Sequence, residues 1–190
     1  SFTSLIKDSL NPLPIFVASL KDPLCQATIE TIFKKSPPTV ILNSTAFSVN
    51  SLNSEQKTPD NPLTSVAANK APVFQMIFSS STEDVWEAEL NGLSGRDIAM
   101  NVALPEVDGR ILSRAVSFKG ESFYDDVTEC SITTYRARGD RITFVSNLAK
   151  NWCNLRQVEN KYSRPAFIMA NYPNRDGRLA NGVGLDTPES

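Results

Sequence analysis

Proline placement divides the first forty residues more sharply than any other feature and restricts them to one kind of unit. Pro12 and Pro14 introduce the apolar run 13–20, Pro23 follows Asp22, and Pro37-Pro38 precede Val40-Ile41-Leu42. A proline at the first helical position behind an aspartate cap starts a helix, and a proline pair stops one. Between those points Leu24, Ala27, Thr28, Ile32 and Phe33 recur at helical spacing, and Lys34 and Lys35 suit the negative carboxyl end of a helix. Strand, helix and strand within about thirty residues predict a βαβ unit with parallel strands and a right-handed crossover.

The alternation continues downstream. Segment 50–70 is polar, carries Pro59 and Pro62 and has little periodicity, which reads as a surface loop. Run 73–78 predicts the next strand, and Ser80, Ser81 or Thr82 can cap a helix from Glu83 to about Leu90, with Trp86 packed in the core and Asn91-Gly92 ending it. Stretch 99–118 reads as two extended runs around a turn: Pro105 removes a backbone donor and Gly109 permits positive φ. Run 129–138 reads as a strand or a lead-in to one. Ile142, Val145, Leu148, Ala149, Trp152 and Leu155 then predict a helix of about four or more turns, capped by Asp140 and packed through Trp152. Run 166–170 is an apolar strand that delivers a Gly-rich turn. The predicted class is α/β, with parallel-sheet βαβ layers of Rossmann or flavodoxin type, an extended hairpin segment and the start of a second α/β unit. The predicted division is an α/β domain at 1–118, a connecting segment and long helix at 119–160, and the following unit at 161–190.

Composition removes several kinds of chemistry. The chain has no histidine, so His-assisted nucleophiles and His-based zinc sites are absent from these 190 residues. Cys25, Cys130 and Cys153 form no C-x-x-C pair, which argues against a zinc site or a disulfide framework and for a reducing compartment. A net charge of −2 gives no electrostatic case for nucleic acid or an acidic membrane, and no apolar run approaches a membrane span. All arginines fall from Arg96 onward, so the later half is the better supplied with planar, bidentate readers of carboxylates. Asn43-Ser44-Thr45 is a nominal glycosylation sequon in an apolar strand setting; its polar side chains are of more interest as groups at the carboxyl end of a parallel strand, where open α/β sheets bind ligands.

Two places carry candidate chemistry. Glu106, Asp108, Arg110 and Arg114 crowd the turn in 99–118, and there they either pair with one another on a solvated turn or converge on a ligand bearing carboxylates or a metal. Near the end stand Asn171, Asn174, Arg175 and Arg178, followed by Gly182-Val183-Gly184. The Gly177 to Gly182 spacing imitates a phosphate loop but lacks the Lys-Ser/Thr that follows one, and the third glycine of a dinucleotide fingerprint is missing. A Gly-rich turn with two arginines can still present donors to an anion.

Three sets of words resemble the large-subunit family of aerobic, ATP-dependent cobaltochelatase, to which the large subunit of magnesium chelatase is related. They are N-V-A-L-P-E-V-D-G-R-I at 101–111 with R-A-V-S-F-K at 114–119, the runs 14–22 and 40–47, and the runs 170–178 and 181–188. They follow the family's order through nearly the whole chain, with 50–70 the weakest match. The resemblance implies a piece of a subunit several times longer that binds tetrapyrrole and metal. It implies hydrogenobyrinic acid a,c-diamide as substrate, Co(II) as the inserted metal, and ATP with Mg hydrolysed by separate AAA+ subunits, in the cytoplasm, with neither nucleic acid nor membrane as partner. It makes the protein a metal chelatase of the ligase class, inactive as this piece alone.

Metal insertion needs bases that take ring protons and hand over a cation. Glu106 or Asp108 is the candidate for proton transfer or transient metal holding. Arg110, Arg114, Arg175 and Arg178 are candidates for holding the ring's acidic side chains, and Asn171 and Asn174 for its amides; no metal ligand set is assigned. Two alternatives stay open. One is the porphyrin-binding subunit of magnesium chelatase, against which the words Asn-Tyr-Pro-Asn-Arg-Asp-Gly-Arg lean toward the cobalt branch. The other is a non-catalytic docking module for the ATPases, in which Asp125, Asp126 and Glu129 would matter more than the arginines.

Overall fold

The computed structural model describes residues 2–50, 61–88, 90, 92–166 and 168. Residues 1–157 form one compact unit and 158–190 a second. Of the second, a 3-10 turn at Asn160–Tyr162 is described.

Among the described residues the sheet has four strands in the order β1 (Ile41–Asn43), β2 (Val73–Thr82), β3 (Ile111–Asp125) and β4 (Cys130–Ala137). β1, β2 and β3 run parallel, and β4 returns antiparallel to β3. The α/β class read from the sequence is therefore realised, but the antiparallel hairpin is made by β3 and β4 and not by the two runs of stretch 99–118. β3 pairs with β2 only as far as Lys119, and from there to Asp125 its partner is β4 alone.

β2 sets the layers, because alternate residues of a strand face opposite sides. On one side Val73 joins Leu20, Val49, Leu63 and Ala68 with Ile29 and Phe33 of α2 (Pro23–Lys35) in one buried cluster. Further along the same side Ile77 packs with Ala115 and Phe118, against which Trp86 of α3 (Glu83–Ala88) and Val102 lie. On the other side Phe74 meets Trp152 of α6 (Gly139–Leu155), their ring centroids 5.6 Å apart. α6 buries Val145, Ser146 and Ala149, and the Ser146 hydroxyl donates to the carboxylate of Asp8, just beyond α1 (Phe2–Lys7).

α2 starts as its sequence predicts. Asp22 caps it, accepting the Cys25 N–H at 2.8 Å, and these bonds hold its carboxyl below the usual aspartate range. α6 is also where the periodicity places it, but its cap differs. Arg138 occupies the cap position without a side-chain capping bond, and Asp140 lies inside the first turn, where a carboxylate favours the helix dipole.

Two expectations are corrected. Run 13–20 forms no strand: Ile15, Val17 and Leu20 pack on the core while Leu13 and Phe16 stand out to solvent. Pro12 and Pro14 offer no donors to a ladder. The parallel neighbours are therefore β1 with β2 and β2 with β3. Stretch 95–106 is helical, so the first of the two extended runs expected in 99–118 is absent. The helical stretch comprises α4 (Gly95–Ile98), a π turn (Ala99–Ala103) and α5 (Leu104–Glu106). Ser94 starts it by accepting the Asp97 N–H at 3.1 Å. Pro105 would clash with the carbonyl one α-turn back and leave it without a donor. Widening the preceding turn, with the Leu104 N–H bonded to the Ala99 oxygen, eases that conflict inside a helical run. Gly109 then takes φ +70°, as the turn requires, and β3 begins.

Candidate functional site

A polar network crosses the sheet where β1 ends. Asn43 closes β1 and stands in register with Gln75 of β2, and Arg110 sits one residue before β3. All three are buried, at 7, 1 and 4 % exposure. The Gln75 Oε1 accepts from Asn43 Nδ2 at 2.7 Å and from Arg110 Nη1 at 3.2 Å. The carbonyl oxygen of Thr45 receives donors from Asn43 (3.1 Å), Gln75 (3.0 Å) and Arg110 (2.9 Å). Buried polar groups persist where their bonds are made, and here three neighbouring strands supply the partners.

The charge at the centre is paired. Arg110 Nη2 donates to Asp108 Oδ2 at 2.6 Å, with both side chains essentially shut off from solvent. Asp108 also accepts the N–H groups of Val49 at 2.8 Å and Asn50 at 2.9 Å. Loop 45–50 is thus held at both ends by one buried ion pair, Arg110 at Thr45 and Asp108 at residues 49 and 50. At its middle the Phe47 N–H donates to the Met100 oxygen in the π turn at 3.0 Å. Phe47 is held at φ +63° with its side chain about half exposed. For an aromatic residue that left-handed conformation costs roughly 1–2 kcal/mol, and such outliers persist only where surrounding bonds over-determine them.

Loop 45–49, residues 18–21 and Arg110 line a cleft of about 430 Å³. Lys21 is its exposed cation, Arg110 lines it with a guanidinium shut off from solvent and paired with Asp108, and no carboxylate is among its lining residues. Lys21 has no ion-pair partner among the described residues. Arg110 Nε is buried without a protein acceptor. A cleft with an exposed cation, an aromatic residue and apolar neighbours suits a flat anionic molecule.

The sequence candidates divide accordingly. Asp108 and Arg110 come together in the network. Glu106 lies outside it with an exposed side chain. Arg114 is also separate: its guanidinium lies 3.5 Å from the ring centroid of Phe144 on α6. Asn171, Asn174, Arg175 and Arg178, with strand 166–170 and the Gly-rich turn, fall outside the described residues. Asn43, the sequon asparagine, is occupied by Gln75 and Thr45. No group of three or more Cys, Asp or Glu side chains is placed to hold a metal among the described residues.

Sequence reasoning missed Gln75, Lys21 and Phe47. Gln75 had a signal, as the one polar residue within the apolar run 73–78. Phe47 had none, because left-handed backbone is announced by glycine or asparagine and neither stands there.

Two other charged clusters lie away from the cleft. Asp97 is buried and accepts from Ser79 Oγ at 3.0 Å and the Ser80 N–H at 2.9 Å, tying α4 to β2. Arg138 pairs with Glu83, Glu87 and Asp140, and the bond to Glu87 raises its pKa. Arg141 lies over the Trp86 ring with its own pKa lowered, first by burial and then by Arg114.

A model of the CobN/magnesium chelatase family matches residues 2–190. The chain is 48 % identical over 185 residues to the aerobic cobaltochelatase subunit CobN of a Sinorhizobium species, covering 97 % of this chain and 14 % of that protein. It is 42 % identical over 184 residues to the subunit of the same name from Pseudomonas aeruginosa, with the same coverage of 97 % and 14 %. The fold is similar to the catalytic subunit of cobaltochelatase from Mycobacterium tuberculosis, with a TM-score of 0.75 and 28 % identity over 99 % of this chain and 15 % of that one. The chain thus spans about one seventh of the curated relatives named here.

Proposed function

The chain belongs to the CobN/magnesium chelatase family, and from that premise we propose that it is a segment of the tetrapyrrole-binding large subunit of aerobic cobaltochelatase. In this reading the complete subunit takes part in inserting Co(II) into hydrogenobyrinic acid a,c-diamide during cobalamin biosynthesis, in the cytoplasm. The insertion is driven by ATP, with Mg, hydrolysed on separate AAA+ subunits. The observation that carries the reading is the 48 % identity, across nearly the whole chain, with a subunit named for this activity. No described helix is long and apolar enough to cross a membrane.

The geometry supports a distribution of roles. Lys21 supplies positive charge on the cleft wall for the carboxylates of the macrocycle, while Arg110, shut off from solvent and paired with Asp108, holds the loop that forms that wall. Asp108 has its oxygens engaged by Arg110, Val49 and Asn50, so its part is to fix Arg110 and the loop. Of the two sequence candidates for taking ring protons, Glu106 is the one open to solvent, though it is not among the residues that line the cleft. Arg114, Arg175 and Arg178 remain candidates for further acidic side chains, and Asn171 and Asn174 for the amides.

The test is titration of hydrogenobyrinic acid a,c-diamide into the complete subunit, followed by visible absorption at two salt concentrations. Saturable binding that weakens with salt, and weakens further in Lys21→Gln, is the expected result. Absence of binding refutes the reading. Tighter binding of protoporphyrin than of the diamide would move the chain to the magnesium branch of its family.

A further inference from the structure

We propose that Phe47 is a ligand-contacting residue, its ring offered to the conjugated face of the macrocycle while Lys21 takes a carboxylate at the rim. This deepens the tetrapyrrole reading above and rests on it. Three independent anchors converge on the short loop that carries the ring: the Thr45 oxygen with its three buried donors, the Phe47 N–H on the π turn, and the N–H groups of Val49 and Asn50 on Asp108. Together they hold an aromatic residue at φ +63°. Packing does not account for this arrangement, since the Phe47 side chain is 52 % exposed and belongs to neither buried apolar cluster. A glycine would occupy the same backbone without strain and keep every one of those main-chain bonds. What the phenylalanine adds is a ring on the wall of the cleft that Lys21 also lines. A flat π-system with peripheral carboxylates matches both features, the ring through stacking and Lys21 through charge-assisted bonds.

The experiment compares Phe47→Gly and Phe47→Tyr with the unaltered complete subunit, measuring thermal unfolding and the affinity for hydrogenobyrinic acid a,c-diamide by visible absorption. Phe47→Gly is expected to unfold at the same or a higher temperature and to bind about tenfold more weakly, whereas Phe47→Tyr keeps the affinity. A Phe47→Gly subunit that binds as tightly as the unaltered one overturns the assignment. So does one that loses thermal stability, because the ring would then be a packing contact for another part of the polypeptide. Loss of binding in Phe47→Tyr overturns it as well. Each of these outcomes leaves tetrapyrrole binding by the subunit standing. Failure of the unaltered subunit to bind the diamide overturns both readings, and displacement of bound diamide by ADP with Mg reassigns the cleft to a nucleotide.

Discussion

Arg110 and Arg138 both hold carboxylates, one beneath the end of the sheet and the other on its surface. The Arg110–Asp108 side chains are 1 and 0 % exposed, whereas Arg138 is 28 % exposed and its partners Glu83, Glu87 and Asp140 are 43, 52 and 62 % exposed. Arg138 has three partners and Arg110 has one. Counting ion pairs would rank them the wrong way round. A pair shut away from water depends on every bond around it, because removing one member leaves a charge with nothing to solvate it. An exposed pair can trade its partner for water.

Breaking the buried pair should therefore have the largest effect. Asp108→Ala leaves Arg110 charged and frees the N–H groups of Val49 and Asn50; a loss of about 3–5 kcal/mol is expected in urea unfolding. A change below 1 kcal/mol would place Arg110 in the same class as Arg138. Next comes Gln75→Leu, which removes an acceptor shared by Asn43 and Arg110 and should cost about 1–3 kcal/mol by the same measurement. Arg138→Gln should lower the unfolding temperature only slightly, and the difference should shrink as salt is raised. A difference that persists at molar salt would mean that stacking on Trp86, 5.3 Å away, matters more than the carboxylates.

The smallest effect belongs to Asp22, an exposed carboxylate bonded to backbone. Its pKa is lowered in the folded chain, chiefly by the bonds to Cys25. Its contribution is thus present above the ordinary aspartate pKa and is lost as pH falls through the lowered one. Asp22→Asn, which caps without titrating, should flatten that part of the acid unfolding profile while leaving neutral stability nearly unchanged. An unaltered acid limb in the variant would remove Asp22 from the account.

Legibility in the sequence follows the same division between local and distant partners. The Asp22-Pro23 start of α2 and the periodicity of α6 were readable because cap and spacing lie within a few residues. β1 and β2 were readable as apolar runs between turn residues. Residues 99–106 read as extended because Pro105 resembles the end of a strand, and a π turn that accommodates proline has no composition of its own. At the site, Asp108 and Arg110 could be picked out as candidates. Their state could not, because it depends on Val49, Asn50 and Thr45, which lie 59, 58 and 65 residues away. Whether a charged turn is solvated or buried is decided by what the rest of the chain lays over it.

Those same separations order events during synthesis. Loop 45–50 leaves the ribosome well before Asp108 and Arg110 exist, and at about 5–20 residues per second the gap between Thr45 and Arg110 lasts roughly 3–13 s. Until then Phe47 lacks the anchors that hold it in its left-handed state, and Asn43 and Gln75 have no cation to share. α2 and its cap can form early from local bonds, but the cleft beside it cannot. A nascent chain halted short of residue 108 should leave loop 45–50 without its anchors and Val49 without its Asp108 bond, which makes the first half of this unit the part most dependent on protection while the second is being made.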